Sequence, residues 1–205
     1  MNEATRDALA DRRRAVRDAA EAMAQHGLAT GSSGNISVRT DNGFLITASS
    51  VPYDRIAVDH IIETDMEGNR LSGDGNPSSE WRMHAAIYGK RSDVSAIVHT
   101  HSLHATAAAI ALRALPIPHD EGQLFYGDFV PVSEHHPPGS WELARSVADV
   151  LGTGKLVLIS HHGAVGVGET LDEAFTIAVK LEEIASLCLL SNQFRTFVDG
   201  RSNDE

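Results

Sequence analysis

The sequence has little cysteine and no long apolar run. Cys188 is the only cysteine, so no disulfide can form within the chain, which fits a reducing compartment. No apolar run approaches the roughly 20 residues that span a bilayer. The first residues, Met1 to Arg14, are charged throughout and lack the apolar segment of a signal peptide. We therefore expect a cytoplasmic protein with no membrane partner.

Basic residues are also scarce relative to acidic ones. The chain has 17 Lys and Arg against 28 Asp and Glu, a net charge of −11. Such a surface repels nucleic-acid phosphates, so we expect no nucleic-acid partner, although a local site can still bind a small anion. The 205 residues, 42% of them hydrophobic, suffice for one core, and we expect a single domain over residues 1–205.

Helix and strand patterns alternate along the chain. Asp41-Asn42-Gly43 separates two short apolar runs and predicts an antiparallel hairpin. Ser140 is a helix N-cap, and Thr170 with Glu173 makes a capping box for a long helix ending near Phe194. The predicted elements are a helix over 3–26, strands over 36–39, 44–47, 94–101 and 156–159, and helices over 140–151 and 170–194. The pattern indicates an α/β or α+β fold with a partly antiparallel sheet.

Another helix is predicted to begin at Asn76-Pro77, because Asn is a preferred N-cap and Pro suits the first helical position. Ser78, Ser79 and Glu80 would then lie in its first turn. Two hydroxyls at a helix N-terminus can bind an anion, and the Gly34-Asn35 loop could add backbone N–H donors. The same residues could equally be capping groups, with Glu80 favoured only by the helix dipole.

His99-Thr100-His101 predicts a metal site. Side chains two apart in a strand point to the same face, so both imidazoles can reach one ion. His162 follows a buried strand, where Gly163 permits a tight turn. Three histidines with an open position are typical of catalytic zinc. Taken alone, a His-x-His pair is more often two surface or core histidines than a metal site. No role is assigned to the other histidines considered, which are His84, His104, His119, His135, His136 and His161.

Five stretches together resemble the class II aldolase/adducin family, which includes zinc-dependent sugar-phosphate aldolases and ribulose-phosphate 4-epimerases. The stretches occur in the family's order and cover nearly the whole chain. They are Thr30 to Ser37, Ile46 to Ser50, Pro77 to Trp81, His99 to His101, and His162-Gly163.

The resemblance implies a three-layer α/β/α domain around a mostly antiparallel sheet, in a C4 homotetramer with interfacial active sites. It implies that His99, His101 and His162 bind Zn²⁺ and that Glu80 is the acid/base group. It also implies a substrate phosphate pocket, lined by Gly34, Asn35, Ser49, Ser50, Ser78 and Ser79.

The implied activity is retro-aldol cleavage of a ketose phosphate through a metal-stabilised enediolate. We expect Glu80 to move the proton, with its pKa raised in a partly desolvated pocket. A decarboxylase of a 3-oxo acid phosphate and a 4-epimerase are alternatives on the same metal. Ser79, which such decarboxylases often replace, favours aldol chemistry. A third hypothesis is an adducin-like binding module without catalytic activity.

Two segments depart from the family pattern. Ser49-Ser50 stands where the family has Thr-Gly, which places a side chain where backbone approaches the phosphate. The catalytic Tyr expected soon after Leu115-Pro116-Ile117-Pro118-His119 is absent there, and Tyr126 lies further on. Asp120 is therefore only a candidate for a second catalytic group, with a solvent-exposed loop carboxylate as the alternative.

Overall fold

A computed structural model of the chain describes residues 3–201, so both ends of the expected 1–205 domain lie outside the described residues. The strands are β1 Asn35–Thr40, β2 Gly43–Thr47, β3 Ile61–Thr64, β4 Arg70–Ser72, β5 Ala96–Thr100, β6 Ala114–Pro116, β7 Phe129–Pro131, β8 Leu156–Ile159 and β9 Gly163–Gly168. The helices are α1 Glu3–Gln25, α2 Trp81–Lys90, α3 Leu103–Ala111, α4 Asp120–Tyr126, α5 Trp141–Leu151 and α6 Leu171–Arg201. Within the described residues, no helix has the length and apolar character to cross a membrane.

The central sheet has the strand order β4-β3-β2-β1-β5-β9-β8, and every neighbouring pair in it is antiparallel. The β1–β2 hairpin pairs Thr40 with Gly43, which confirms the turn predicted at residues 41–43. Strands β6 and β7 form a separate two-stranded sheet. The mostly antiparallel sheet expected from the family resemblance is therefore present.

Helices cover both faces of the sheet, as expected for three layers. Because side chains alternate in a strand, Phe44 and Ile46 face one layer while Leu45 faces the other. The first layer contains α2 and α5, and the second contains α1 and the start of α6. A third cluster joins α3, the middle of α6 and β8. The central strands are thus buried on both sides, and polar groups on them must find partners inside the protein.

The predicted start of α2 is wrong by several residues. The helix begins at Trp81 with Glu80 in the N-cap position, and Pro77 instead forms a β-bridge with Ala48. Ser78 N also donates to Thr47 O at 3.1 Å, which keeps this segment extended beside the end of β2. These contacts pair the backbone of residues 77–78 with the end of β2, so Asn76 does not begin the helix.

The other two predicted helix starts are confirmed. Ser140 Oγ accepts a hydrogen bond from Leu143 N, and Thr170 Oγ1 accepts one from Glu173 N. The Glu173 carboxylate accepts in return from Glu169 N, one residue before the position that the capping box predicts. The last helix continues to Arg201 rather than ending near Phe194.

The contact of β9 with the start of α6 gives a test of the packing. A Cβ at Gly168 would lie 2.7 Å from Ala174 N, whereas one at Gly89 in α2 would meet nothing within 4 Å. We expect Gly168→Ala to destabilise the protein by about 1–3 kcal/mol, because backbone must shift. Gly89→Ala should be neutral or stabilise it by up to about 1 kcal/mol. Urea denaturation measures both, and equal midpoints would contradict this packing.

Candidate metal centre and active site

The first two histidines of the site are positioned by the end of β5. His99 pairs with Asn35 of β1 on one side and with Val165 of β9 on the other, so its side chain is fixed in the middle of the sheet. His101 follows the last residue of the strand, and its N–H donates to Leu28 O at 3.0 Å. The two Nε2 atoms lie 3.0 Å apart, so the pair converges as its spacing predicts.

The third histidine lies in the turn between β8 and β9. Ile159 pairs with Gly163, and His162 N donates back to Ile159 O at 3.0 Å. The residue in the left-handed conformation is His161, with φ of 57°, rather than Gly163 as the tight-turn prediction implied. Gly163 is needed for a different reason: a Cβ there would lie 2.2 Å from Thr100 O and 3.2 Å from the His101 ring.

The three imidazoles surround a common point. Ring centroids are 4.8 Å apart for His99 and His101, 5.1 Å for His99 and His162, and 4.8 Å for His101 and His162. His99 Nδ1 lies 2.9 Å from Ala164 O, a carbonyl that can only accept, so Nδ1 carries the proton. In the neutral ring this leaves a lone pair on Nε2, on the side facing the other two histidines.

Glu80 closes the fourth side of this cluster. Its Oε2 lies 3.0 Å from His99 Nε2 and accepts a hydrogen bond from Asn35 Nδ2 at 3.1 Å. Its Oε1 lies 3.3 Å from His162 Nε2, yet it has no hydrogen-bond partner in the described part of the chain. The residue is 7% exposed, so a carboxylate oxygen is buried without a donor. A buried carboxylate oxygen is normally paired, and a bound cation or a hydroxyl of a ligand would supply the partner.

Burial and the neighbouring imidazoles set the charges in the cluster. Burial raises the pKa of Glu80, but the interactions with His99, His162 and His101 outweigh it, and the net pKa is well below the usual range. The expectation of a raised Glu80 pKa is therefore not met in the protein alone. Burial and His99 lower the pKa of His101 to about 3, which keeps that ring neutral. Burial likewise lowers the pKa of His162.

These residues fit a divalent metal ion. The four candidate ligand atoms, one from each of Glu80, His99, His101 and His162, lie within 4.8 Å of one another. Two nitrogens on one tetrahedral zinc ion would be roughly 3.3 Å apart, given Zn–N bonds of about 2.0–2.1 Å. A metal ion would accept the lone pair of His99 Nε2 and would also give the unpartnered Glu80 oxygen a partner.

Three loops meet beside Glu80, and they hold the predicted phosphate-binding residues. Tyr53 Oη donates to Gly34 O at 2.6 Å, and Ser49 N donates to Asn76 O at 2.9 Å. Ser78 is buried and its Oγ accepts from Glu80 N at 3.3 Å. Ser50 and Ser79 are exposed, so solvent reaches this end of the site.

Ser50 adopts the backbone conformation that glycine adopts most easily. Its φ is 62°, and its Oγ lies 3.4 Å from Ser49 Oγ. The loop therefore adopts a left-handed conformation at Ser50, the position at which the family resemblance led us to expect glycine. A non-glycine residue in this region is strained by about 1 kcal/mol.

Asp120 is the first residue of α4 and is exposed. No contact among the described residues joins it to Glu80 or the three histidines. Its proposed catalytic role therefore has no support within one chain and stays a prediction.

Comparison with known proteins identifies the group to which the chain belongs. The family model described as Class II Aldolase and Adducin N-terminal domain matches residues 14–189. The chain belongs to the class II aldolase and adducin family. One relative in it is the L-fuculose phosphate aldolase of Escherichia coli (strain K12), 36% identical over 176 residues, which cover 86% of this chain and 81% of that protein.

Two further family members resemble the chain closely. The 5-methylthioribulose-1-phosphate/5-deoxyribulose-1-phosphate aldolase of Rhodospirillum rubrum (strain ATCC 11170) is 36% identical over 168 residues, covering 82% of this chain and 76% of its own length. A solved structure of L-fuculose 1-phosphate aldolase has a TM-score of 0.85 at 31% identity, covering 90% of this chain and 87% of that one. The fold expected from the sequence is therefore confirmed.

Sequence reasoning assigned no role to His84, which the structure links to the site. His84 is 0% exposed, and its Nε2 contacts Asn35 Oδ1, the amide whose nitrogen holds Glu80. The helical spacing of Glu80, His84 and Tyr88 was the available sign, because residues four apart lie on one face of a helix.

Metal binding is the first property to measure. We expect one divalent ion per chain after dialysis, measured by inductively coupled plasma mass spectrometry. His101→Ala should weaken the affinity by more than about 100-fold in a chelator competition, because it removes a direct ligand.

His26→Gln is the matched control, because His26 is exposed and lies outside the cluster. That variant should bind the ion as tightly as the unmodified protein. Equal metal content in His101→Ala and His26→Gln would exclude the three-histidine centre.

Proposed function

We propose that this chain is a zinc-dependent aldolase that cleaves a ketose 1-phosphate into dihydroxyacetone phosphate and an aldehyde. The observation that carries the proposal is the buried cluster of Glu80 with three converging imidazoles, whose ligand atoms lie within 4.8 Å of one another. Relatives named for L-fuculose phosphate and 5-methylthioribulose 1-phosphate support a phosphorylated ketose as the substrate.

His99, His101 and His162 would hold the ion, with Glu80 beside it. Three imidazole nitrogens and one carboxylate oxygen are a donor set that zinc accepts well, and three protein ligands leave room for substrate. When bound, the ion supplies Lewis-acid polarisation of the substrate carbonyl and compensates the negative charge that develops during cleavage.

Glu80 is the group placed to move the proton. During cleavage the C3–C4 bond breaks, the C4 hydroxyl loses its proton, and C3 of the three-carbon fragment gains one. The C4 hydroxyl proton passes to the second acid/base group or to water. The Glu80 Oε1 atom is buried and unpartnered among the described residues, so it can take up a proton from water before cleavage and deliver it to C3. In the reverse direction the anionic carboxylate removes the same proton.

The loops beside Glu80 are proposed to bind the substrate phosphate. Gly34, Ser49, Ser50, Ser78 and Ser79 offer backbone N–H and hydroxyl donors. Asn35, which the family resemblance places in the same pocket, is buried and its amide nitrogen donates to Glu80 Oε2, so we assign it to holding the carboxylate. The acidic chain, with its net charge of −11, then relies on short-range hydrogen bonds rather than on its overall field to bind an anion.

The same family resemblance supports a homotetramer with interfacial active sites. Large apolar side chains around α3, α4 and β7 are exposed in the single chain, as an interface requires. They are Leu103 at 74%, Leu124 at 80%, Phe125 at 66% and Phe129 at 59% exposed. A neighbouring subunit could also supply the second acid/base group that Asp120 does not supply within one chain.

Glu80→Gln tests the proposed reaction. The zinc-loaded protein is incubated with L-fuculose 1-phosphate, 5-deoxyribulose 1-phosphate and other ketose 1-phosphates, and products are followed by mass spectrometry. We expect dihydroxyacetone phosphate and an aldehyde, with kcat about 100- to 10,000-fold lower in Glu80→Gln, because the amide cannot transfer the proton.

Metal content and thermal unfolding of Glu80→Gln are measured in parallel. Full cleavage activity in a metal-loaded Glu80→Gln would disprove the role of Glu80. Release of carbon dioxide from a 3-oxo acid phosphate, or a stereoisomer of unchanged mass, would assign the protein to the decarboxylases or epimerases instead. Metal binding without turnover of any substrate would favour a binding module.

Ser50→Gly tests how the phosphate loop works. We expect a free energy of unfolding about 1 kcal/mol higher, because glycine relieves the strain at a φ of 62°. KM for the ketose phosphate should change less than about threefold if backbone N–H groups make the phosphate contacts. A tenfold rise in KM would show instead that the Ser50 hydroxyl is itself a phosphate ligand.

A further inference from the structure

A continuous chain of buried polar side chains leads from Glu80 into the protein core. It alternates between α2 and β1, and no member is more than 7% exposed. In order, the members are Glu80, Asn35, His84, Ser37 and Tyr88. Asn35 contacts both Glu80 and His84, and Ser37 Oγ lies 2.6 Å from His84 Nδ1 and 2.7 Å from Tyr88 Oη.

Two regular spacings bring these five groups together. Asn35 and Ser37 are two apart in β1, so both point toward α2. His84 and Tyr88 are four apart, which places both on the face of α2 that meets β1, and Glu80 occupies the N-cap position one turn before His84. The Phe44 ring packs at 6.4 Å from the His84 ring and 5.4 Å from the Tyr88 ring, shielding the chain from solvent.

The carboxylate of Glu80 fixes the direction of the first two hydrogen bonds, those from Asn35 to Glu80 and from His84 to Asn35. A carboxylate only accepts, so Asn35 presents its amide NH₂ to Glu80 and its oxygen to His84. His84 Nε2 must therefore donate to Asn35 Oδ1. If the ring is neutral, Nδ1 then has a lone pair and accepts from the Ser37 hydroxyl, whose oxygen accepts from Tyr88 Oη–H.

Burial supports the neutral form of His84. Complete burial lowers its pKa to about 3, with a further lowering from His99 that exceeds the opposing effect of Glu80. A neutral ring with hydrogen on Nε2 satisfies both of its neighbours. A charged ring would donate from Nδ1–H to Ser37 Oγ. Ser37 and Tyr88 could then make only one hydrogen bond between them, and one of their two hydroxyl hydrogens would have no acceptor among these five groups.

We propose that His84 is a positioning residue, which holds the Asn35 amide in one orientation and through it fixes the Glu80 carboxylate for proton transfer. The proposal rests on the proton-transfer role of Glu80 proposed above. Without the donor at His84 Nε2, the Asn35 amide can turn over and present its oxygen to the carboxylate, which repels it. The carboxylate would then lose the hydrogen bond from the Asn35 amide.

Two variants of similar size separate positioning from packing. His84→Gln keeps an amide nitrogen near the position of Nε2 and can still donate to Asn35. His84→Asn is too short to reach it. Both remove the imidazole from the core, so both should lose stability in thermal unfolding. In zinc-loaded His84→Asn, we expect kcat about 10- to 100-fold lower with KM changed less than about threefold, as for loss of a hydrogen bond to a charged group.

His84→Gln should restore kcat to within about threefold of the unmodified protein, because its side-chain donor replaces Nε2–H. Equal kcat losses in the two variants, in proportion to their losses of stability, would show that His84 only fills space. A rise in KM at constant kcat would show that it acts on substrate binding, and would also overturn the proposal.

Two further measurements do not need activity. Nitrogen-15 NMR of histidine-labelled protein should show His84 neutral with hydrogen on Nε2, and a ring protonated on Nδ1 would overturn the proposed direction. Crystal structures should retain the Asn35–Glu80 hydrogen bond in His84→Gln and lack it in His84→Asn. If the protein turned over no sugar phosphate, these structures would still decide whether His84 positions the carboxylate. A failure of the proposed function is thus distinguishable from a failure of this proposal.

Discussion

The convergence of three imidazole nitrogens on one buried carboxylate is the constraint on which the rest of the site depends. His99 and His101 direct Nε2 atoms at each other across 3.0 Å, and lone pairs at that distance repel unless a proton or metal lies between them. Two antiparallel strands hold them there, because β5 carries His99 while the β8–β9 turn supplies His162. The absence of a side chain at Gly163 lets these elements approach closely enough.

Much of this arrangement is readable from local sequence, because its determinants are local. The Asp41-Asn42-Gly43 turn, the Ser140 cap and the alternation that aligns His99 with His101 all depend on residues within a few positions of each other. The start of α2 depends instead on a distant partner. Pro77 lies in a β-bridge to Ala48, and no local pattern around Asn76-Pro77 reveals that strand. Glu80 consequently occupies the N-cap position rather than the first turn.

The phosphate pocket and Asp120 were expected from the family resemblance alone, and they differ in their position relative to Glu80. The loops of Gly34, Ser49 and Ser78 are joined by hydrogen bonds beside Glu80, so a shared pocket is physically reasonable. Asp120 is exposed at the start of α4, where nothing in the described part of the same chain brings it to the metal ligands. A contact between segments far apart in the chain, or between chains, leaves no periodic signal in the local sequence. The family pattern could suggest Asp120, but spacing alone could not.

The helix α2 serves both the core and the site, and the two uses constrain each other. Met83 and Ile87 pack against the sheet, but apolar contacts of this kind tolerate repacking and small shifts. Hydrogen bonds from His84 and Tyr88 to residues of β1 do not, since a displaced donor leaves a buried group unpaired. These hydrogen bonds therefore fix the position of α2 along the direction of β1. Because Glu80 immediately precedes that helix, the same fixed register sets the distance of the carboxylate from the three histidines.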